Sequence, residues 1–344
     1  MKYSFVKKTL AMLLTIALAC TVFTACGKET DEKSGSEASG SEASGSETSG
    51  SEEGDASEEE TEFLFSSMTT YDPDGKATSK ITREYNDAGQ ITKESSYTVN
   101  DKGELYEYFV TETEYNENGN VLKYKFFNRE VPDAELKPES EYDVIYEGEA
   151  VVRSESYIFE NGERVLSSYM ESENDSENRE ISTKHYDLNS DTNEFEIFME
   201  TEMEYEGDSI DWTTMLTYDY SSGERKLFET ATNFFDGEGN ITGYEYLYEE
   251  DGYKQVNEYE NGKMISQSNY SMGSSGEWEL SYSITFIYSD DGILSETDYD
   301  YGKGIDAKYL STYDDEGKLV REDCYNKGVE SDELTLAYYN IYEY

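Results

Sequence analysis

Alternating side-chain oxygens on a tight loop are what Ca²⁺ takes. One stretch has that spacing: Asp187, Asn189, Asp191 and Asn193. Thr192 stands where such a loop wants glycine and Phe198 where it wants a bidentate Glu, so a polar turn between strands is the competing reading. A second candidate is a row of rings. Tyr244, Tyr246 and Tyr248 recur at every second position and line one face of a strand, where aromatic rings can stack sugars or hold cations. The single histidine, His185, lies beside Tyr186 near a loop and reads as a polar surface residue. The chain has no Gly-x-Ser-x-Gly elbow, no His-Glu-x-x-His pair and no phosphate-binding Gly-Lys-Ser/Thr loop. Carboxylates are so numerous that no pair stands out as an acid/base couple. The expectation is a protein that binds rather than catalyses, with no cofactor.

The elements that position these residues are strands. From Trp278 the residues Leu280, Tyr282, Ile284, Phe286 and Tyr288 alternate with Glu279, Ser281, Ser283 and Thr285, the period of a strand with one packed face. Glu194 to Tyr205 repeats the pattern, with Phe195, Ile197, Met199, Thr201, Met203 and Tyr205 on one side and only Phe198 out of step. No window shows a helical period. Pro132 and Pro138 mark one irregular connection, and Asn174 to Arg179 another.

Between strands a unit recurs: aromatic, Asn or Asp, two polar residues, Gly, any residue, aliphatic. Tyr85 to Gly89 with Ile91, Tyr115 to Gly119 with Val121, Phe235 to Gly239 with Ile241, Tyr288 to Gly292 with Leu294 and Tyr313 to Gly317 with Leu319 are copies. Tyr248 to Gly252 is a degenerate copy, and Tyr259-Glu260-Asn261-Gly262 a shorter one with a two-residue turn. The Asn or Asp accepts a backbone hydrogen bond at the start of a type I turn, and the Gly takes the left-handed conformation of the bulge that follows. Asn86 should then pair with Gln90 and Tyr85 with Ile91, both on one face. With units every fourteen to sixteen residues, the 282 residues from 63 to 344 make some sixteen to nineteen antiparallel strands. Open sheets rarely exceed ~10 strands without curling or splitting. The predicted fold is all-β: a long up-and-down meander in a coiled sheet or an open β-solenoid.

The unit Tyr313-Asp314-Asp315-Glu316-Gly317-Lys318-Leu319 resembles the YD repeats of the rearrangement-hotspot family. That resemblance runs from about Tyr71 to Gly328. It implies a coiled sheet of hairpins, in that family sometimes a shell around a toxin, and a surface location. The arginine that usually follows Gly there is missing.

The N-terminus predicts the compartment. Lys2, Lys7 and Lys8 precede an apolar run from Thr9 to Ala19, a signal-peptide pattern too short to span a bilayer comfortably. Phe23-Thr24-Ala25-Cys26-Gly27 resembles the lipobox of bacterial lipoproteins, which implies cleavage after residue 25 and acylation of Cys26. Residues 26–62 are then a Gly/Ser/Glu tether that cannot bury a core. Without leader and tether, 22 basic and 65 acidic residues remain, a net charge of −43. Such a field argues against nucleic acid and favours cations, Ca²⁺ among them. With Cys324 the single cysteine past the tether, no disulfide framework is expected. Together these readings predict a lipid-anchored module on the extracellular face of the cytoplasmic membrane, in a Gram-positive bacterium, binding or scaffolding a glycan or a protein. The alternative is an exported hydrolase with an unrecognised carboxylate site.

Overall fold

The computed structural model describes residues 64–344 apart from 208, 210, 238, 249–250, 291, 303 and 329–332. The predicted leader, Cys26 and the tether lie outside the described residues, which all belong to the unit Glu60–Tyr344.

That unit is β throughout. Its strands are β1 (Ser67–Tyr71), β2 (Ala77–Tyr85), β3 (Ile91–Val99), β4 (Leu105–Tyr115), β5 (Val121–Asn128), β6 (Lys137–Glu147) and β7 (Ala150–Glu160). There follow β8 (Glu163–Asn174), β9 (Glu180–Asn189), β10 (Glu194–Tyr205), β11 (Trp212–Asp219), β12 (Lys226–Phe235), β13 (Ile241–Tyr248) and β14 (Asp251–Glu260). The last are β15 (Lys263–Met272), β16 (Trp278–Tyr288), β17 (Leu294–Asp300), β18 (Ile305–Tyr313), β19 (Leu319–Lys327) and β20 (Leu334–Glu343). The count exceeds the expected range because some turns are tighter than four residues. Asn161-Gly162 and Asn261-Gly262 are two-residue turns with both residues at positive φ.

Each strand pairs antiparallel with the next, as the meander predicts. The coiled-sheet or solenoid expectation is corrected by one ladder: β1 also pairs with β20, from Ser67↔Glu343 to Tyr71↔Tyr339. The sheet closes into a twenty-stranded barrel, and closure removes both unpaired edges. The means of closing is visible in the register. Every pairing except β13–β14 and β1–β20 contains a shift, and each such bulge bends its strand and adds twist.

The hairpins follow the predicted chemistry. Asn86 N donates to Gln90 O (2.9 Å) and Gly89 N to Asn86 O (3.0 Å), while Tyr85 pairs with Ile91. Gly89, Gly119 and Gly317 have φ of 79, 85 and 80°. Two expectations fail. Gly252 is not a turn glycine but lies inside β14 opposite Leu247, because this hairpin turns earlier, between Tyr248 and Asp251. Phe198 is a bulge residue, so Ile197 pairs with Tyr186 while Met199 pairs with the adjacent His185. Phe195 and Ile197 therefore face the opposite wall from Met199, Thr201 and Met203, although their alternation reads as unbroken.

Registered partners share a face, so the ladders sort strand residues onto two walls. Tyr244, Tyr246, His185, Asp187 and Glu229 are on one; Lys123, Glu141, Arg153, Glu200 and Lys308 are on the other. Burial identifies the inner wall. Desolvation holds the His185 imidazole down at about 4, pushes Tyr244 up to about 12 with help from the Glu229 charge, and raises the Asp187 and Glu229 carboxyls. Asp187 is nonetheless exposed to solvent. A carboxylate that water reaches and protein surrounds faces a lumen.

The lumen is not a dry core. Among the described residues only Val110, Ala150, Ala231, Ile284 and Cys324 are buried apolar side chains, and the largest side chains fully out of water are Asn269, Cys324 and Ser154. Barrels of about 16–18 strands already enclose water. The unit is held mainly by ladder hydrogen bonds and neighbour-to-neighbour packing.

Candidate functional site

The turns after even-numbered strands share one end of the barrel, and there the repeat's tyrosine does more than pair with an aliphatic residue. Tyr115 at the end of β4 donates its hydroxyl to Ile91 O at the start of β3 (2.9 Å). The same bond runs from Tyr85 to Phe65, Tyr146 to Val121, Tyr205 to Glu180, Tyr259 to Ile241, Tyr288 to Met264, Tyr313 to Leu294 and Tyr344 to Leu319. Where β8 and β12 end without a hydroxyl, Asn174 Nδ2 takes Val151 O and Asn233 Nδ2 takes Trp212 O. These ten bonds, 2.8–3.1 Å long, tie each turn at this end to its neighbour around the full circle. Cations reinforce three of them: Arg179, Lys263 and Lys318 lie over the rings of Tyr205, Tyr288 and Tyr344. The repeat tyrosines are thus structural clamps, a role that sequence spacing does not disclose because the acceptor is a backbone carbonyl of another hairpin.

The predicted aromatic row does form a wall. Tyr244, Tyr246 and Tyr248 point from β13 into the lumen, each half-buried. Tyr246 donates to Glu229 Oε2 (2.8 Å), Tyr248 meets the edge of Phe228 (centroids 4.4 Å apart) and Tyr244 the edge of Trp212 (6.2 Å). Burial raises the Glu229 carboxyl against the hydrogen bonds that it accepts from Tyr246 and Thr217. On β14 and β15 the wall continues in amides and one further phenol. Gln255 Nε2 donates to Asn257 Oδ1 (2.9 Å), while Tyr253 and Gln267 both donate to Asn269 Oδ1. Asn269 is fully buried, yet its Nδ2 has no partner among the described residues. Phenol rings go on to β18 and β20, with Tyr299 and Tyr309 centroids 5.5 Å apart and the hydroxyls of Tyr309 and Tyr338 3.4 Å apart. Rings, amides and hydroxyls with few charges suit an uncharged polar ligand.

The predicted cation loop is arranged otherwise. Asn189 Oδ1 accepts the amides of Asp191 (2.9 Å) and Thr192 (3.3 Å), and Asn193 sits at φ 59° as the left-handed residue of the turn. Asp187 is on the inner wall opposite Ser168. No group of three His, Cys, Asp or Glu able to hold a metal ion occurs among the described residues. His185 is likewise on the inner wall, not the polar surface expected of it, because the ladder pairs it with Met170 and Met199.

The outer wall carries most of the ion pairs, Arg83–Glu94 (2.8 Å) being registered on the inner one. Lys123 bridges Glu141 (2.7 Å) and Asp143 (3.2 Å), Arg225 holds Glu200 (2.6 Å) and Glu202, and Lys308 reaches Glu296 and Asp298. A groove of about 380 Å³ opens there beside Arg153, Glu171, Lys184 and Tyr186. Its charges are already spent on one another: Arg153 pairs with Glu155 and Glu171 and covers the Tyr169 ring at 3.9 Å. The inner wall is the better candidate site.

No protein-family model and no curated protein matches the chain. Among solved structures it is similar to a porin-like protein from Bacteroides uniformis, at 10% identity and a TM-score of 0.33, over 81% of this chain and 96% of the other. It is also similar to a protein of unknown function from Bacteroides fragilis, at 17% identity and a TM-score of 0.29, over 34% of this chain and 87% of the other. A third is the Tc holotoxin pore of Photorhabdus luminescens, at 9% identity and a TM-score of 0.15, over 78% of this chain and 22% of the other. Scores this low carry no argument, and the barrel rests on its own strand pairings.

Proposed function

We propose that the protein is a non-enzymatic binding module, lipid-anchored outside the cytoplasmic membrane, whose lumen takes a neutral, hydroxyl-rich ligand of the glycan class. The observation that carries this reading is the division of polar chemistry between the walls. Phenols and amides line the inside along β13–β15, whereas the ion-pair ladders of Lys123, Arg225 and Lys308 stand outside. Stacking and neutral hydrogen bonds are how proteins hold sugars in water, and stacked rings lose little entropy on binding.

The outer ladders also support a barrel bathed in water. A membrane-spanning barrel presents an apolar band to lipid, where Lys or Arg at mid-depth costs roughly 2–4 kcal/mol. Membrane attachment then falls to the acyl chains on Cys26.

Calorimetry of neutral against uronic-acid oligosaccharides tests the ligand. Neutral sugars should bind with little dependence on salt, and Tyr246→Ala should weaken them. Absence of heat with any oligosaccharide at millimolar concentration would leave only a scaffold role. Cell fractionation of Cys26→Ala tests the anchor: loss from the membrane fraction is expected, and retention of the processed chain would refute it.

A further inference from the structure

Two thioethers and an imidazole stand in one row of the inner wall. Met170 of β8 lies directly opposite His185 of β9, which lies directly opposite Met199 of β10. Opposed residues of an antiparallel ladder have Cβ atoms about 4.5–5.5 Å apart, so the two thioethers flank the imidazole. No hydrogen bond engages that ring among the described residues; Phe198 meets it edge-on, with centroids 5.9 Å apart. Ser154, opposite Met170 in the same row, is 2% exposed and its hydroxyl has no partner among the described residues. Thr183, two residues before His185 on the same wall, is 3% exposed and equally unpaired. Met203 and Met215 face each other farther along the wall. Two of the nine methionines thus flank the chain's single histidine.

We propose that Met170, His185 and Met199 bind a soft monovalent metal ion, Cu(I) or its redox-inert analogue Ag(I). Thioethers select Cu(I), and imidazole joins them readily; carboxylates and carbonyls, the donors for Ca²⁺ or Mg²⁺, are absent from this trio. Neutral donors leave the site with the ion's single positive charge, which the strongly acidic chain offsets at long range. His185 is only partly covered and faces the lumen, so the ion has a path in. The proposal is independent of the sugar reading, which concerns β13–β15.

One histidine makes the test unambiguous. In the full chain labelled with ¹⁵N-histidine, Ag(I) should move the imidazole resonances and saturate them with one equivalent beyond what the cysteine thiols take up. Zn²⁺ at the same concentration should leave them in place. The double variant Met170→Leu/Met199→Leu keeps volume and apolarity. It should weaken the Ag(I) response at least about tenfold, the smaller of the losses seen when groups around a metal site are removed. Met203→Leu/Met215→Leu, which removes the same chemistry outside the row, should titrate like the parent. The proposal is overturned if the imidazole stays unmoved once the cysteine thiols are filled. It is equally overturned if the Met170→Leu/Met199→Leu chain titrates like the parent.

Discussion

The two ends of the barrel use the same turns and hold them differently. At the end that carries Gly89, Gly119 and Gly317, ten side-chain bonds link hairpin to hairpin around the ring. At the other end Asn100 closes its turn in the same way, with Gly103 N donating to Asn100 O (2.8 Å), but Val99 stands where the tyrosine would be. No side-chain-to-carbonyl ring of this kind is seen at that end among the described residues. A turn motif makes a hairpin; a hydroxyl at the right position makes a rim. The clamped end should therefore be the stiffer one.

The sharpest way to break this comparison is to remove a clamp ring. Tyr115→Ala loses both packing and the bond to Ile91 and should cost about 2–3 kcal/mol, toward the low side for a large half-buried side chain. Val99→Ala at the matching place of the free end should cost about 1 kcal/mol. Urea midpoints that fall equally would show that the rim adds nothing.

Next come the turn glycines. Gly317 at one end and Gly223 at the other have φ of 80 and 81° with nothing within 4 Å of an added Cβ, so only backbone strain distinguishes a substitution. Valine at either should cost roughly 1–2 kcal/mol, and equally. Unequal melting shifts would mean that the two ends differ in their turns and not only in their clamps.

Asn233 provides a smaller, reversible test. It substitutes for the hydroxyl that Phe235 lacks, so Asn233→Ala should cost about 1 kcal/mol. Adding Phe235→Tyr should restore most of that loss, and alone it should be nearly neutral because Trp212 O is already engaged. Failure of the rescue would place the role of Asn233 elsewhere.

Glu229 carries the smallest expected effect. Burial raises its carboxyl above the ordinary 4.5, so the fold favours the protonated form. That contribution is full below the ordinary value and is lost as pH rises through the raised one. Glu229→Gln, which mimics the neutral acid, should match the parent at pH 4 and exceed it at pH 8. A gap in urea midpoint that is unchanged between the two values would contradict this.

Local features were legible in the residues. Tyr85 to Ile91 encodes its turn, its positive-φ glycine and its register within seven positions, because the atoms that decide them are those of one hairpin. The aromatic row Tyr244, Tyr246 and Tyr248 was legible for the same reason, as strand alternation needs no partner. The row Met170, His185, Met199 was not, since its members sit fourteen and fifteen residues apart and meet only across ladders. A forward signal did exist at Phe198, the one residue out of step in β10, which marked the bulge that moves Met199 inside.

What the chain alone determined, then, is the hairpin: where each turns, which residues face each other, and that an acidic, proline-poor, tyrosine-rich sequence builds many of them. Only the tertiary structure decided that β1 meets β20, and with that meeting everything else followed. A sheet has two equivalent-looking faces until it closes; closure makes one concave, burying Glu229 and Tyr244 and leaving Lys123 and Arg225 in water. Closure depends on small bends summed over nearly every strand pair. No single turn contains that sum, so no single stretch of sequence could announce it.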